Sequence, residues 1–279
     1  MKWIGRAESS NVEDRRGGRV STVTKGGGAI TVIIIIAAYF LKVDPSTIQK
    51  FVPSDGKTTT TNRPLENDEA KKFVAVVLKD TEDVWHKLFK NMGKRYQEPK
   101  LVVFSETTDS RCGRAEATMG PFYCPADQKV YIDLNFFKEL KRRHHAPGDF
   151  AQAYVVAHEV AHHVQNLLGT STMVHRKQQK FGRGTPESNK LSVKLELQAD
   201  CYSGIWAHHA DKMKNILEKG DIKEALNAAS QIGDDTLQKQ AGVKYVNQES
   251  FTHGTSAQRV KWFKIGKKTG SLEACDTFR

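Results

Sequence analysis

Several things are scarce in this sequence, and each shortage removes a class of protein. The four cysteines, Cys112, Cys124, Cys201 and Cys275, include no CxxC pair, which excludes the spacing of a zinc ribbon and of a dithiol redox motif. The longest uncharged apolar run, Ala29 to Leu41, has 13 residues, short of the roughly 20 needed for a comfortable helical membrane span. A polytopic membrane protein is therefore excluded. Wholesale disorder is excluded too, because 38% of the residues are hydrophobic and 27% charged, the balance of a folded domain. No repeat recurs at 20 to 50 residues, so the chain is not a solenoid. Acidic residues are outnumbered by basic ones, 32 to 43, for a net charge of +11. That excess favours acidic partners such as nucleic acid, anionic lipid or cell-wall polymers. No nucleic-acid motif and no interleaving of basic with aromatic residues accompanies it, so nucleic acid is not an expected partner.

What is present begins with the apolar run. A signal-peptide core or a buried helix are alternatives to a membrane segment. No small-x-small cleavage site follows, and the flanks, Gly26 to Gly28 before and Pro45 after, offer no amphipathic partner for burial. Retention as a transmembrane anchor over residues 29–41 is the preferred reading. Ahead of it Lys2, Arg6, Arg15, Arg16, Arg19 and Lys25 outweigh Glu8, Glu13 and Asp14. The positive-inside tendency then leaves residues 1–28 as a basic cytoplasmic segment and exports the rest. Residues 42–66, with Pro45, Pro53, Gly56 and the run Thr58 to Thr61, are expected to be a linker, and residues 67–279 a single domain. If that domain lies in an oxidising compartment, the cysteine spacing favours a local loop closed by Cys112 and Cys124, with Cys201 tying the C-terminal tail through Cys275. Four reduced thiols in a cytosolic protein stay open as the alternative.

Within the domain, Phe73, Val77, Val84, Leu88 and Met92 recur near helical spacing and Gly93 supplies a stop, predicting a long amphipathic helix. Leu101 to Phe104, Ala115 to Met119 and Lys129 to Leu134 read as strands around a turn-rich stretch from Gly120 to Pro125. Asp149 with Gln152 three residues on resembles a capping box, opening a helix to about Leu168 that Gly169 ends. Its Val156, Val160, Val164 and Leu167 form a face to bury, with Tyr154, His158, His162 and Gln165 on a neighbouring one. A second long helix is predicted from Ser188 or Asn189, and further ones over 222–232 and 256–265. The fold class expected is α+β, helix-rich, with a small β-sheet.

The chemistry is concentrated in His158-Glu159-Val160-Ala161-His162. Histidines four apart in a helix lie on one face and converge on a single ion, Zn²⁺ by preference. Glu159, turned away by about a third of a turn, reaches a water on the metal and takes its proton, which zinc alone lowers only to a pKa of about 7. A third ligand is expected from another helix. Glu196 lies 34 residues after His162 in Glu196-Leu197-Gln198-Ala199-Asp200, among apolar neighbours that mark a buried face. Asp200, one turn on, is placed to accept a hydrogen bond from a ligand histidine and fix its tautomer. His144, His145, His163, His208 and His209 are read as solvated or locally hydrogen-bonded.

Taken together these motifs resemble the neutral zinc metallopeptidases of bacteria, and the resemblance runs along most of the chain. It rests on Trp3, Gly5, Arg6 and Asn11 to Gly17, the apolar run, Gly120 to Pro125, Val130 to Asp133, Gly148 to Ala151 and the HExxH. It continues through Leu195 to Cys201, Phe251 to Arg259 and Cys275 to Phe278. Ala161 stands where that family is expected to have glycine, and the glycine-rich stretch before the apolar run is short. The resemblance implies a zincin-like domain, zinc, a single-pass anchor in the bacterial inner membrane with the domain outside, and a Cys112–Cys124 pair. It also implies a protein or peptide substrate, and it places His253 in a shared polar run after the metal motifs, where a donor to the tetrahedral oxyanion is useful. A zinc-bearing envelope scaffold that cuts nothing is the alternative kept beside the peptidase.

Overall fold

The computed structural model describes residues 1–16 and 68–279, and Met1–Arg16 belongs to the same compact unit as the rest of the domain. After β1 (Val12–Asp14) the described chain resumes with α1 (Glu69–Asn91), capped by the Asp68 carboxylate. Strands β2 (Lys100–Phe104), β3 (Thr107–Ser110), β4 (Gly113–Glu116), β5 (Phe122–Cys124) and β6 (Lys129–Asp133) follow. The helices are α2 (Phe136–Arg142), α3 (Asp149–Leu167), α4 (Thr170–Phe181), α5 (Pro186–Lys214), α6 (Asp221–Gln231), α7 (Asp234–Gln240) and α8 (Ser256–Thr269). The class is α+β and helix-rich, as expected. Among the described residues the main sheet has the order β1-β2-β6-β5, while β3 and β4 form a separate hairpin.

Three local expectations change. Ala117–Met119 is a 3-10 turn after β4 rather than part of a strand. The turn-rich stretch holds β5, antiparallel to β6, with Tyr123 opposite Val130. Asp149 is the first helical residue of α3 and makes no cap, because Gly148 precedes it at φ 117° and any Cβ there would fall 2.1 Å from the Glu224 carboxyl. Glu224, from α6, accepts instead from the Phe150 N–H at 3.1 Å, a cap supplied from another helix.

The larger correction concerns the N-terminus. β1 pairs in parallel with β2, Glu13 against Val102; Arg6 is ion-paired with buried Asp80, and Ser9 donates to buried Glu82. The Met1 ammonium lies 2.6 Å from Asp149 and 3.3 Å from Asp221. Paired strands lie about 4.8 Å apart, so residues 1–16 are on the domain's side of any bilayer. They are not the start of a separate cytoplasmic segment 1–28. The expected anchor 29–41 and linker 42–66 lie outside the described residues, and among the described residues no helix is long and apolar enough to cross a membrane.

The core explains what positions the site. α3 packs against α1, α4, α5 and α6 and against β5 and β6, and Val156, Val160, Val164 and Tyr154 are fully buried. Each large apolar side chain so buried contributes about 1.5–3 kcal/mol. α5 and α8 approach so closely that a Cβ on Gly266 would lie 1.9 Å from the Cys201 carbonyl oxygen. Disulfides join Cys112 to Cys124 and Cys201 to Cys275, the pairing that the spacing favoured; the second fastens the C-terminal tail to α5.

Candidate active site

Helical spacing on α3 and a crossing by α5 bring three side chains to one point. A nitrogen of His158, a nitrogen of His162 and a carboxylate oxygen of Glu196 all lie within 4.8 Å of one another. His158 Nε2 is 3.1 Å from Glu196 Oε2, and His162 Nε2 is 3.4 Å from Glu196 Oε1. The other ring nitrogens are engaged elsewhere. His158 Nδ1 lies 3.0 Å from Asp200 Oδ1, and His162 Nδ1 lies 2.9 Å from Gln165 Oε1, whose amide nitrogen donates to the Leu195 carbonyl. Both Nε2 atoms are thereby turned toward Glu196. A His₂Glu donor set with its Nδ1 atoms held by a carboxylate and an amide fits a zinc ion.

Behind these residues is a buried network. Arg259, 2% exposed, donates from Nε to Asp200 Oδ2 at 2.9 Å and from Nη2 to Oδ1 at 3.0 Å. The Tyr154 hydroxyl also donates to Asp200, and Arg259 Nη1 donates to the Ile232 carbonyl at 3.1 Å. Burial alone would raise the Asp200 carboxyl; Arg259 and His158 hold it below its ordinary value. Likewise burial opposes charge on Glu196, but the two imidazoles keep it well below the carboxylate range. Burial also disfavours the His158 imidazolium, yet the hydrogen bonds it donates to the Asp200 and Glu196 carboxylates lift its pKa to about 10. Glu159, 8% exposed, is pushed up by burial against the pull of the histidines.

These groups open onto a cavity of about 1140 Å³ that Glu159, His253 and Arg259 also line. His253 precedes α8, half-exposed, with Nδ1 3.2 Å from Asp234 Oδ1. The other oxygen of Asp234 accepts the N–H groups of Thr252, His253 and Gly254 at 2.6–2.9 Å. Burial lowers the His253 pKa and Asp234 outweighs it, so the net direction is upward.

Every residue expected at the centre, His158, Glu159, His162, Glu196 and Asp200, is thus found there, and His253 lies at the same cavity. Tyr154 and Gln165, expected on the face of the two histidines, and Arg259, within the Phe251 to Arg259 run, carried no stated role at the site, and Asp234 was not singled out. Gln165 and Tyr154 carry a signal, at plus three from His162 and minus four from His158 on one helix; Arg259 and Asp234 carry none, being distant in sequence. His163 is fully buried away from the three, with Nε2 2.7 Å from the Gln97 carbonyl and Nδ1 3.0 Å from the Tyr123 hydroxyl. Of the acidic group Asp149, Asp221 and Glu224, the first two pair with the Met1 ammonium, as does Glu218.

Comparison with known proteins agrees with this geometry. A model of the family described as "Putative neutral zinc metallopeptidase" matches residues 1–278. The chain is 47% identical over 287 aligned positions to "Uncharacterized protein YpfJ" of Escherichia coli K12, covering 100% of this chain and 99% of that one. It is 37% identical over 256 positions to "Uncharacterized protein Rv2575" of Mycobacterium tuberculosis H37Rv, covering 86% and 85%. No solved structure matches the chain.

Proposed function

This chain belongs to that zinc metallopeptidase family, and from this premise we propose that it hydrolyses peptide bonds in proteins or peptides, with Glu159 as general base. The observation that carries the reading is the convergence of His158, His162 and Glu196 within 4.8 Å beside Glu159 in one cavity. His158, His162 and Glu196 would hold zinc, which supplies a water of lowered pKa and polarises the scissile carbonyl. Glu159 accepts the proton that the attacking water loses and returns it to the leaving amine. His253 donates from Nε2 to the oxyanion as the carbonyl carbon becomes tetrahedral, with Nδ1 held by Asp234 so that the donor faces the cavity. Asp200 and Arg259 touch no reacting atom; they orient His158.

The two disulfides support an oxidising, extracytoplasmic compartment for the folded unit, hence envelope proteins as substrates. Attachment to the bilayer through Ala29 to Leu41 belongs to the same proposal. The test is zinc content and peptidase activity of the purified full chain beside Glu159→Gln. We expect one zinc per chain in both and loss of at least about a hundredfold in kcat for the variant. Equal activity in the two proteins would refute the assignment.

A further inference from the structure

Between Ala117 and Pro125 there is not one charged side chain, in a protein whose residues are 27% charged. Such a stretch is ordinarily core, yet this one is not. Met119 is 64% exposed, Thr118 and Pro125 are exposed, and Ala117, Pro121, Phe122 and Tyr123 are only half-buried. The whole stretch except Cys124 borders the cavity that holds His158, Glu159, His162 and Glu196.

Its shape is fixed from several directions. The Cys112–Cys124 disulfide closes the loop from before β4 to the end of β5. The Ala117 N–H donates to the Glu106 carbonyl at 2.7 Å, and Phe122 stacks on Tyr131 at 4.9 Å between ring centroids. The Tyr123 hydroxyl receives Asn166 Nδ2 at 3.2 Å, tying the loop to α3 itself. Gly120, at φ 77°, lets the turn lie over Phe136, whose ring is 3.6 Å from where a Cβ would stand. An apolar surface held this firmly has already met the entropy cost of being ordered, which is what a binding wall requires.

We propose that this wall, with exposed Met119 on it and Phe136 against Gly120, is an apolar subsite that selects peptide substrates carrying a large apolar side chain beside the scissile bond. The occupant follows from the chemistry on the page: the stretch from Ala117 to Pro125 is uncharged and exposed or half-buried but for Cys124, it shares one cavity with His158, His162 and Glu196, with Glu139 and Arg143 elsewhere on the lining, and burying a Leu or Phe side chain is the interaction such a wall offers. The assignment rests on the hydrolase reading above and narrows it to a substrate class.

The test uses the zinc-loaded full chain and fluorescent peptides with a single Leu in a Gly/Ser background, each beside its Leu→Ser counterpart. Cleavage is expected at a fixed offset from the Leu, at least about tenfold faster in kcat/KM than in the Ser peptide, the discrimination one apolar group gives. Met119→Asp, at an exposed position where folding tolerates it, should bring the ratio toward one, and Met119→Leu should keep it. Equal cleavage of both peptides, or a ratio unmoved by Met119→Asp, overturns the subsite. Anisotropy with zinc-loaded Glu159→Gln reads the same preference without turnover. Leu-dependent and Met119-dependent binding with no cleavage by the wild type would sink the hydrolase reading while leaving the subsite standing. If the wall instead meets lipid, anionic phosphatidylglycerol vesicles will bind in a Met119-dependent way and the peptides will not, which also overturns it.

Discussion

At the residue scale, Asp200 links His158 to the buried residues behind it. It accepts from Tyr154 and twice from Arg259 and lies 3.0 Å from His158 Nδ1, and it is fully buried. A carboxylate there keeps the His158 Nδ1 proton in place and so leaves Nε2 as the basic nitrogen for a metal. Asp200→Asn preserves the volume but loses the charge, leaving Arg259 buried against a neutral amide. Zinc affinity should fall about 10- to 100-fold, measured by competition with a chromogenic chelator; an unchanged affinity would remove Asp200 from the metal's support. Arg259 is the costlier partner to lose, since breaking a buried pair on one side leaves the other charge uncompensated, at about 3–5 kcal/mol.

The elements deliver those residues. α3 carries both histidines and α5 both acids, so the centre depends on how the two helices are pressed together and on α8, which brings Arg259. The α5–α8 contact at Gly204 and Gly266 has no room for a methyl group. Gly266→Ala must part the helices, and overpacking of this kind costs about 1–3 kcal/mol; the urea midpoint should drop accordingly, and an unaltered midpoint would show the contact to be looser than described. β1 is held by its flank as well as its ladder. Arg16 pairs with Asp14 and with Asp68 at the start of α1. Chiefly through the Arg16 hydrogen bond, the Asp14 carboxyl is lowered to about 2, below its ordinary 3.8. With the folded value the lower, the unfolded chain takes up the proton first as pH falls. This contribution is therefore complete above about pH 4 and is lost as the pH falls through about 2. Asp14→Asn should lower stability at pH 6 and flatten the acid limb between pH 4 and 2, followed by urea unfolding across pH.

For the whole molecule, Met1–Arg16 and the chain from residue 68 make one folded unit, so a fragment beginning at residue 67 is not a domain. It would leave one edge of β2 unpaired and remove Arg6 from Asp80, Ser9 from Glu82 and the Met1 ammonium from Asp149 and Asp221. Such a fragment should be less stable than the full chain by at least about 3 kcal/mol, seen as a lower melting temperature or insolubility. Equal stability would mean that the strand is dispensable. The unit also constrains topology: a strand cannot share a sheet across a bilayer, so whatever the apolar run at 29–41 does, both of its flanking folded segments end on the same face.

The sequence by itself determined which residues meet at the candidate site: His158, His162 and Glu196, with Glu159 beside them. HExxH on a helix and ExxxD on another are local patterns, and a period of 3.6 residues decides which side chains share a face without reference to anything distant. The long helices and two of the strands were legible from local patterns in the same way, whereas the two cysteine pairs were read from cysteine number and spacing. Only tertiary structure decided that Val12–Asp14 is a strand of the domain's own sheet, since a three-residue edge strand has no periodicity and is made by its partner. It also decided that Glu224 rather than Asp149 caps α3, and that Arg259 and Asp234 stand behind Asp200 and His253. Those contacts join residues that are neighbours only once the chain has closed on itself, and no local pattern records a distance between segments the fold has yet to bring together.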